Sequence, residues 1–205
     1  SGAGTDITGS TTPTSDRWQG FNINNVIVLL NGNETPQSWA GSGTCADISI
    51  TGSGLTSSNL ITGTVYRDRA YYVEKSTANI WYAGAGAHAG ACKKIDLQTL
   101  LRRGGYIQFI VPWTRDSGDG VDELFVAVSN VGEVVVYQGD APDSAGWHIT
   151  GRFYMPMPLS RRAFVDIGPD VVILTEEGVI PLSTVISQDG VQSGYQKLSD
   201  KINNT

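Results

Sequence analysis

The sequence is poor in the residues from which most enzymes and metal centres are built. Two cysteines and two histidines occur in 205 residues. Cys45 and Cys92 lie 47 positions apart, a spacing that fits neither a metal-ligand pair nor a redox C-x-x-C motif. They are expected as buried free thiols, with a disulfide as the alternative. His88 sits among small residues in AGAGAHAGAC, with no serine elbow or cysteine partner beside it, and His148 follows Trp147 at a strand start. No G-x-S-x-G, H-E-x-x-H or phosphate-binding glycine loop is present. Neither a catalytic residue nor a cofactor is therefore expected, and the chain reads as non-enzymatic.

Positive charge is scarce as well. Fourteen basic residues face 20 acidic ones, and the net charge of −6 argues against a partner recognised through a basic face, nucleic acid above all. No stretch approaches the roughly 20 apolar residues of a bilayer-spanning helix, so no membrane partner is expected. The start, SGAGTDITGSTTPTSDRW, lacks the basic flank and apolar run of a signal peptide. Charged residues amount to 17%, too few for a disordered chain, whereas the 40% hydrophobic residues suffice for a core.

What the sequence does have is turns and short apolar runs. Gly 25 and Pro 8 together favour many short strands over long helices. Four segments share one form, an apolar run, a polar turn and a second run: VIVLLNGNETPQSW from Val26, AYYVEKSTANIWY from Ala70, LFVAVSNVGEVVVY from Leu124 and VVILTEEGVIPL from Val171. Each reads as a β-hairpin. Gly132 and Gly178 serve the turns of the last two, and at least one is expected at positive φ. The starts are 44, 54 and 47 residues apart, and further strands are predicted at 46–52, 60–67, 106–113, 148–156 and 162–168. Three to four antiparallel strands every 40–50 residues is the spacing of a β-propeller blade. The predicted fold is thus all-β, a β-propeller-like array of about four antiparallel blades, with an incomplete ring and an immunoglobulin-like sandwich as alternatives. Residues 1–15 read as a flexible leader, 16–187 as a single β domain and 188–205 as a polar tail, in which KLSDKI could open a short helix. One helical interruption is predicted after Asp96, with Leu97, Leu100 and Leu101 as its apolar face, Arg102 and Arg103 at its end, and Gly104 and Gly105 as its stop.

Candidate sites are few. In RDSGDGVDE, the carboxylates Asp116, Asp119 and Asp122 alternate with Gly and Ser and could wrap a hard cation such as Ca²⁺; a tight polar turn is the plainer reading. The MPMPL stretch, Met155, Met157 and Leu159 with Arg161 and Arg162 behind it and Arg152 ahead, is the candidate partner surface, or else a link between blades. A sialidase-type propeller is disfavoured, because no Asp box occurs and Arg161 and Arg162 would point to opposite faces of a strand.

The order of motifs between about Arg69 and Ile186 resembles a tailed-bacteriophage structural family of the head-to-tail neck or tail hub. The matching elements are W-Y ahead of a Gly/Ala-rich loop, then I-D-L, R-R-G-G, D-S-G-D-G-x-D, G-E-V-x-V-Y-Q-G, and R-R followed by T-E-E-G-V-I-P-L. They are specific as an ordered set covering more than half of the chain; the first 65 residues match loosely. The resemblance implies a propeller-like virion protein, assembled in the bacterial host cytoplasm, with other neck or tail proteins as partners and a homo-oligomeric ring in the virion. It carries over no catalytic residues, and it implies that these 205 residues are part of a longer protein. The alternative is a phage-tail module that grips a host-surface glycan through Trp18, Trp39, Trp81 and Trp147.

Overall fold

A computed structural model describes residues 6–116 and 121–187, without the side chains of 115, 116, 121 and 122. The chain divides into two compact units, Ser1–Leu97 and Gln98–Thr205. The architecture is all-β and propeller-like, with four antiparallel blades in chain order, two in each unit.

In the first unit, β1 (Gln19–Ile23), β2 (Val26–Leu30), β3 (Gln37–Trp39) and β4 (Ala46–Asp47) form the first blade. After the short β5 (Ile50–Thr51), the second blade is built from β6 (Leu60–Tyr66), β7 (Arg69–Glu74) and β8 (Asn79–Tyr82). The chain then makes β9 (Gly90–Ala91), which pairs parallel with β5, before β10 (Lys93–Asp96) completes that blade beside β8. In the second unit, β11 (Ile107–Asp116), β12 (Val121–Ser129), β13 (Glu133–Gln138) and β14 (His148–Tyr154) form the third blade. The fourth has three strands, β15 (Phe164–Asp166), β16 (Val171–Thr175) and β17 (Gly178–Pro181), followed directly by the short helix α1 (Leu182–Ser187).

The strands of each blade follow one another in sequence order, a meander and not the Greek key of a sandwich. All four expected hairpins form: β2–β3, β7–β8, β12–β13 and β16–β17. Their runs are legible because middle strands are buried on both faces: five of the six residues of β7 and five of the six of β13 are buried, so AYYV and VVVY are continuous where a one-sided strand would alternate. Gly132 (φ 78°) and Gly178 (φ 130°) both adopt positive φ.

Each unit has its own core. In the first, Val28, Leu30, Leu60, Tyr72 and Trp81 pack together; in the second, Phe109, Val126, Val134, Val136, Ile173 and Ile180 do so, joined by Leu182 and Val185 of α1. The described part of the expected leader is tied to the first blade. Cys45 donates its backbone N–H to the Ile7 carbonyl (2.7 Å), Thr11 Oγ1 donates to Asp47 (2.9 Å), and the Thr14 N–H donates to Glu34 (2.9 Å). The 188–205 tail lies outside the described residues.

The helix expected after Asp96 does not form. Asp96 ends β10 opposite Asn79, and the Leu97 N–H continues that ladder to the Ala78 carbonyl (3.0 Å), so the first turn of a helix has no free start. Leu97 and Leu101 are buried, as an i, i+4 pair on a helix would be, but a tight turn delivers them. The next two N–H groups, of Arg102 and Arg103, are taken by the two carboxylate oxygens of Glu133 (3.0 Å each).

Candidate assembly surface

The fourth blade has two unlike faces, and strand alternation explains both. Phe164 pairs with Ile173 and Ile173 with Ile180; this side faces the core of the second unit. Val165 pairs with Val172 and Leu174 with Val179, which places these four on the opposite face. On that outer face Val165 is 55% and Leu174 44% exposed.

The MPMPL stretch extends the same face. The Leu159 N–H donates to the Leu174 carbonyl (3.1 Å) and the Glu176 N–H to the Met157 carbonyl (3.0 Å), so residues 157–159 run beside β16 in line with β15. Pro158 bridges Thr175, and both are buried on the core side. Met157 and Leu159 must then turn outward, and they are 44% and 58% exposed. With Ile167 in the β15–β16 turn, five of the six large exposed hydrophobics of the described residues belong to this blade.

Met155 does not belong to that surface. Its N–H is held by the Gly132 carbonyl (2.8 Å), and its side chain is buried in the core with Val134 and Val136. The stretch changes partner from the third blade to the fourth between 155 and 157, and the direction of its side chains changes with it. Arg161 and Arg162 occupy the turn leading to β15 and not a strand: Ser160 Oγ accepts the Arg162 N–H (3.2 Å) and its carbonyl accepts that of Ala163 (3.1 Å). Arg162 is exposed and Arg161 half-buried.

The other candidates resolve differently. Asp119 and the side chains of Asp116 and Asp122 lie outside the described residues, although the backbone of 116 pairs with 121 across a β11–β12 hairpin. Among the described residues no three His, Cys, Asp or Glu side chains gather as metal ligands would. Cys45 and Cys92 are buried and unbridged, and burial pushes the Cys92 thiol up to about 11, away from nucleophilic use at neutral pH. His88 contributes its carbonyl to the Tyr72 hydroxyl (2.6 Å), and the exposed His148 turns its ring Nδ1 to the Gly146 carbonyl (2.8 Å). Of the tryptophans, Trp81 is core, its Nε1–H donating to Glu74 (3.0 Å), and Trp147 stacks one ring face on Tyr137 (5.0 Å). Trp39 is half-buried and donates to the Gly43 carbonyl (3.1 Å); Trp18 is also half-buried. A cleft of about 220 Å³ lies between Trp113 and the Ser183–Ser187 side of α1, and among the described residues it is lined by Trp113, Ser183, Thr184, Ile186 and Ser187.

Sequence reasoning passed over two buried carboxylates, Glu74 and Glu133, which are 6% and 0% exposed. Each is hydrogen-bonded: one Glu74 oxygen accepts from Asn79 Nδ2 (2.8 Å) and Trp81 Nε1, the two Glu133 oxygens accept the two arginine N–H groups, and the Glu133 N–H donates to Ser129 Oγ (2.9 Å). They fasten the chain between strands. Nothing in the sequence marks them except a Glu at the end of one apolar run and at the start of another. Set against protein-family models and curated proteins, the chain matches none.

Proposed function

We propose that this chain is a non-enzymatic structural component of a tailed-bacteriophage virion, acting in assembly of the head–tail neck or tail hub around the DNA conduit. The observation that carries the reading is the outer face of the fourth blade, where Met157, Leu159, Val165 and Leu174 stand in solvent beside a turn carrying Arg161 and Arg162. Such a face suits a permanent neighbour, since obligate contacts are more apolar than ordinary surface. The neighbour is another neck or tail protein or a further copy in a ring, where a heterologous patch closes the circle. The ordered motifs from Arg69 to Ile186 support the same assignment. A net charge of −6 is compatible with a wall past which DNA slides without being held.

The test is made in the complete virion protein. Met157→Ser with Leu159→Ser should reduce the yield of tailed particles at least tenfold while the melting temperature of the purified protein stays unchanged. Gold-labelled antibody against the chain should decorate the neck or the tail hub of intact particles. Normal particle yield from the double variant, or particles that lack the protein, would overturn the proposal.

A further inference from the structure

The last strand of each four-stranded blade pairs on one side only, and the three such strands differ. β4 has two residues, and β10 has four, with Lys94 paired to Asp96 (3.7 Å). β14 has seven, and among the described residues no strand pairs with its other side. An open edge of this length is a template for a further strand. Its phase follows from one bond. The Met155 N–H goes to the Gly132 carbonyl, so Phe153 and Gly151, two and four positions back, also bond toward β13. Arg152 lies between them and turns its own N–H and C=O to the open side.

The same end of β14 carries positive charge. Arg152 and Tyr154 point to one face of the blade, shared with Val135 and Glu133 of β13. The Arg103 guanidinium stands 4.2 Å from the centre of the Tyr154 ring. Arg102 and Arg103 are exposed and Arg152 is half-buried. Among the described residues none of these three guanidinium groups forms an ion pair with a carboxylate. Glu133 is close, but it is buried and its oxygens hold the backbone N–H groups of Arg102 and Arg103. Asp140 and Asp143 belong to the β13–β14 turn, at least four strand positions or about 14 Å from Arg152. In a chain of net charge −6, this strand end reverses the sign locally.

We propose that the open edge of β14 takes an extended acidic segment of a partner protein, added antiparallel as a fifth strand of the third blade. The partner residue opposite Arg152 exchanges both backbone bonds with it and points its side chain to the Arg152 face. The residue two positions away stands opposite Tyr154, beside the Arg103 guanidinium. Carboxylates at these two positions meet one arginine each, in the charge-assisted pairing that guanidinium groups favour. Charge on an edge strand also serves to keep other strands away, but a deterrent needs no fixed position. Arg103 is held twice, by its backbone on Glu133 and by its guanidinium over the Tyr154 ring. Nucleic acid fits less well, because it brings no strand to pair with Arg152. The inference uses the third blade alone and does not rest on the assembly reading of the fourth.

The probe is a synthetic seven-residue peptide alternating valine and glutamate, titrated into the full 205-residue chain while backbone amide signals are followed. It should shift the β14 amides saturably, slow hydrogen exchange at Arg152 and bind more weakly at high salt. Arg103→Glu with Arg152→Glu should weaken binding about tenfold or more and should bind a valine–lysine peptide instead. Arg152→Ala, a milder change, should weaken binding severalfold and answers for any unfolding of the double variant. Methyl groups on the glutamate backbone nitrogens should abolish binding, because those N–H groups face β14; methyl groups on the valine nitrogens should not. Absence of a saturable shift at millimolar peptide, equal binding of the valine–lysine peptide to the unaltered chain, or equal effects of the two methylations would overturn the proposal. So would displacement of the peptide by a more tightly bound thymidine oligonucleotide, since the arginines would then read phosphate. A chain that sediments as a dimer and becomes monomeric with Arg103→Glu and Arg152→Glu would overturn it too, because the edge would then belong to a second copy.

Discussion

Glu133 has a fully buried side chain, yet both of its oxygens are used: they accept the backbone N–H groups of Arg102 and Arg103, which a helix over the same residues would have turned inward. A buried donor left without an acceptor costs about 1–3 kcal/mol. Glu133→Ala removes the acceptor of two at once and should destabilise the chain by about 2–4 kcal/mol. Glu133→Gln keeps one oxygen and should cost roughly half as much. Urea unfolding of the three proteins measures this directly. A loss below about 0.5 kcal/mol for the alanine variant, the range of ordinary surface substitutions, would mean that water replaces the carboxylate. Glu74 differs in that its donors are side chains, those of Asn79 and the buried Trp81.

Among elements, the β12–β13 hairpin is tightly constrained. Gly132 has φ 78°, and a Cβ built there would stand 2.1 Å from the Met155 carbonyl oxygen, while its own carbonyl holds the Met155 N–H. Gly132→Ala therefore meets both an unfavourable backbone region and a rigid backbone neighbour, and should cost more than the roughly 1 kcal/mol of a left-handed alanine alone. The melting temperature should fall by several degrees, and hydrogen exchange should rise first across β13 and residues 153–156; an unchanged melt would show that the chain after β14 can simply move away. The four hairpins could be read from sequence because their strands are apolar on both sides and their turns are polar. β1 was not legible: QGFNI has a glycine and two amides, although the Asn24–Asn25 pair behind it, both at positive φ, is a strong two-residue turn signal. β10 was missed because KKID is an exposed edge strand that reads equally well as the approach to a helix. Of the apolar MPMPL stretch, Met157 and Leu159 are exposed whereas Met155 is buried. A change of sheet between 155 and 157 resets which way the side chains face, and no local pattern records such a change.

For the molecule as a whole, acid separates two kinds of carboxylate. With a pI near 4.8, the chain passes from net negative to net positive as its carboxylates protonate. Glu34 and Asp47, which tie residues 6–15 to the first blade, resist that titration. Hydrogen bonds from Thr14 and Asn33, opposed by some desolvation, lower Glu34 from 4.5 to about 2, and bonds from Gln37 and Thr11 hold Asp47 below its usual 3.8. A carboxyl whose folded value is depressed contributes stability that is fully present above its unfolded value and is lost as the pH falls through the folded one. The attachment of residues 6–15 should therefore be complete at pH 5, persist at pH 4 and loosen between pH 4 and about 2, below the range in which ordinary carboxylates protonate. Amide exchange at Thr14 and Cys45, corrected for its intrinsic pH dependence, reports the change, since these N–H groups bond the segment to the first blade. Glu34→Gln keeps the shape but cannot hold the charge, so the attachment at Thr14 should be weaker at pH 7 and nearly independent of pH from 7 to 3. Release of the wild-type segment already by pH 4.5 would show that the hydroxyl and amide donors around Glu34 do not favour its ionised form.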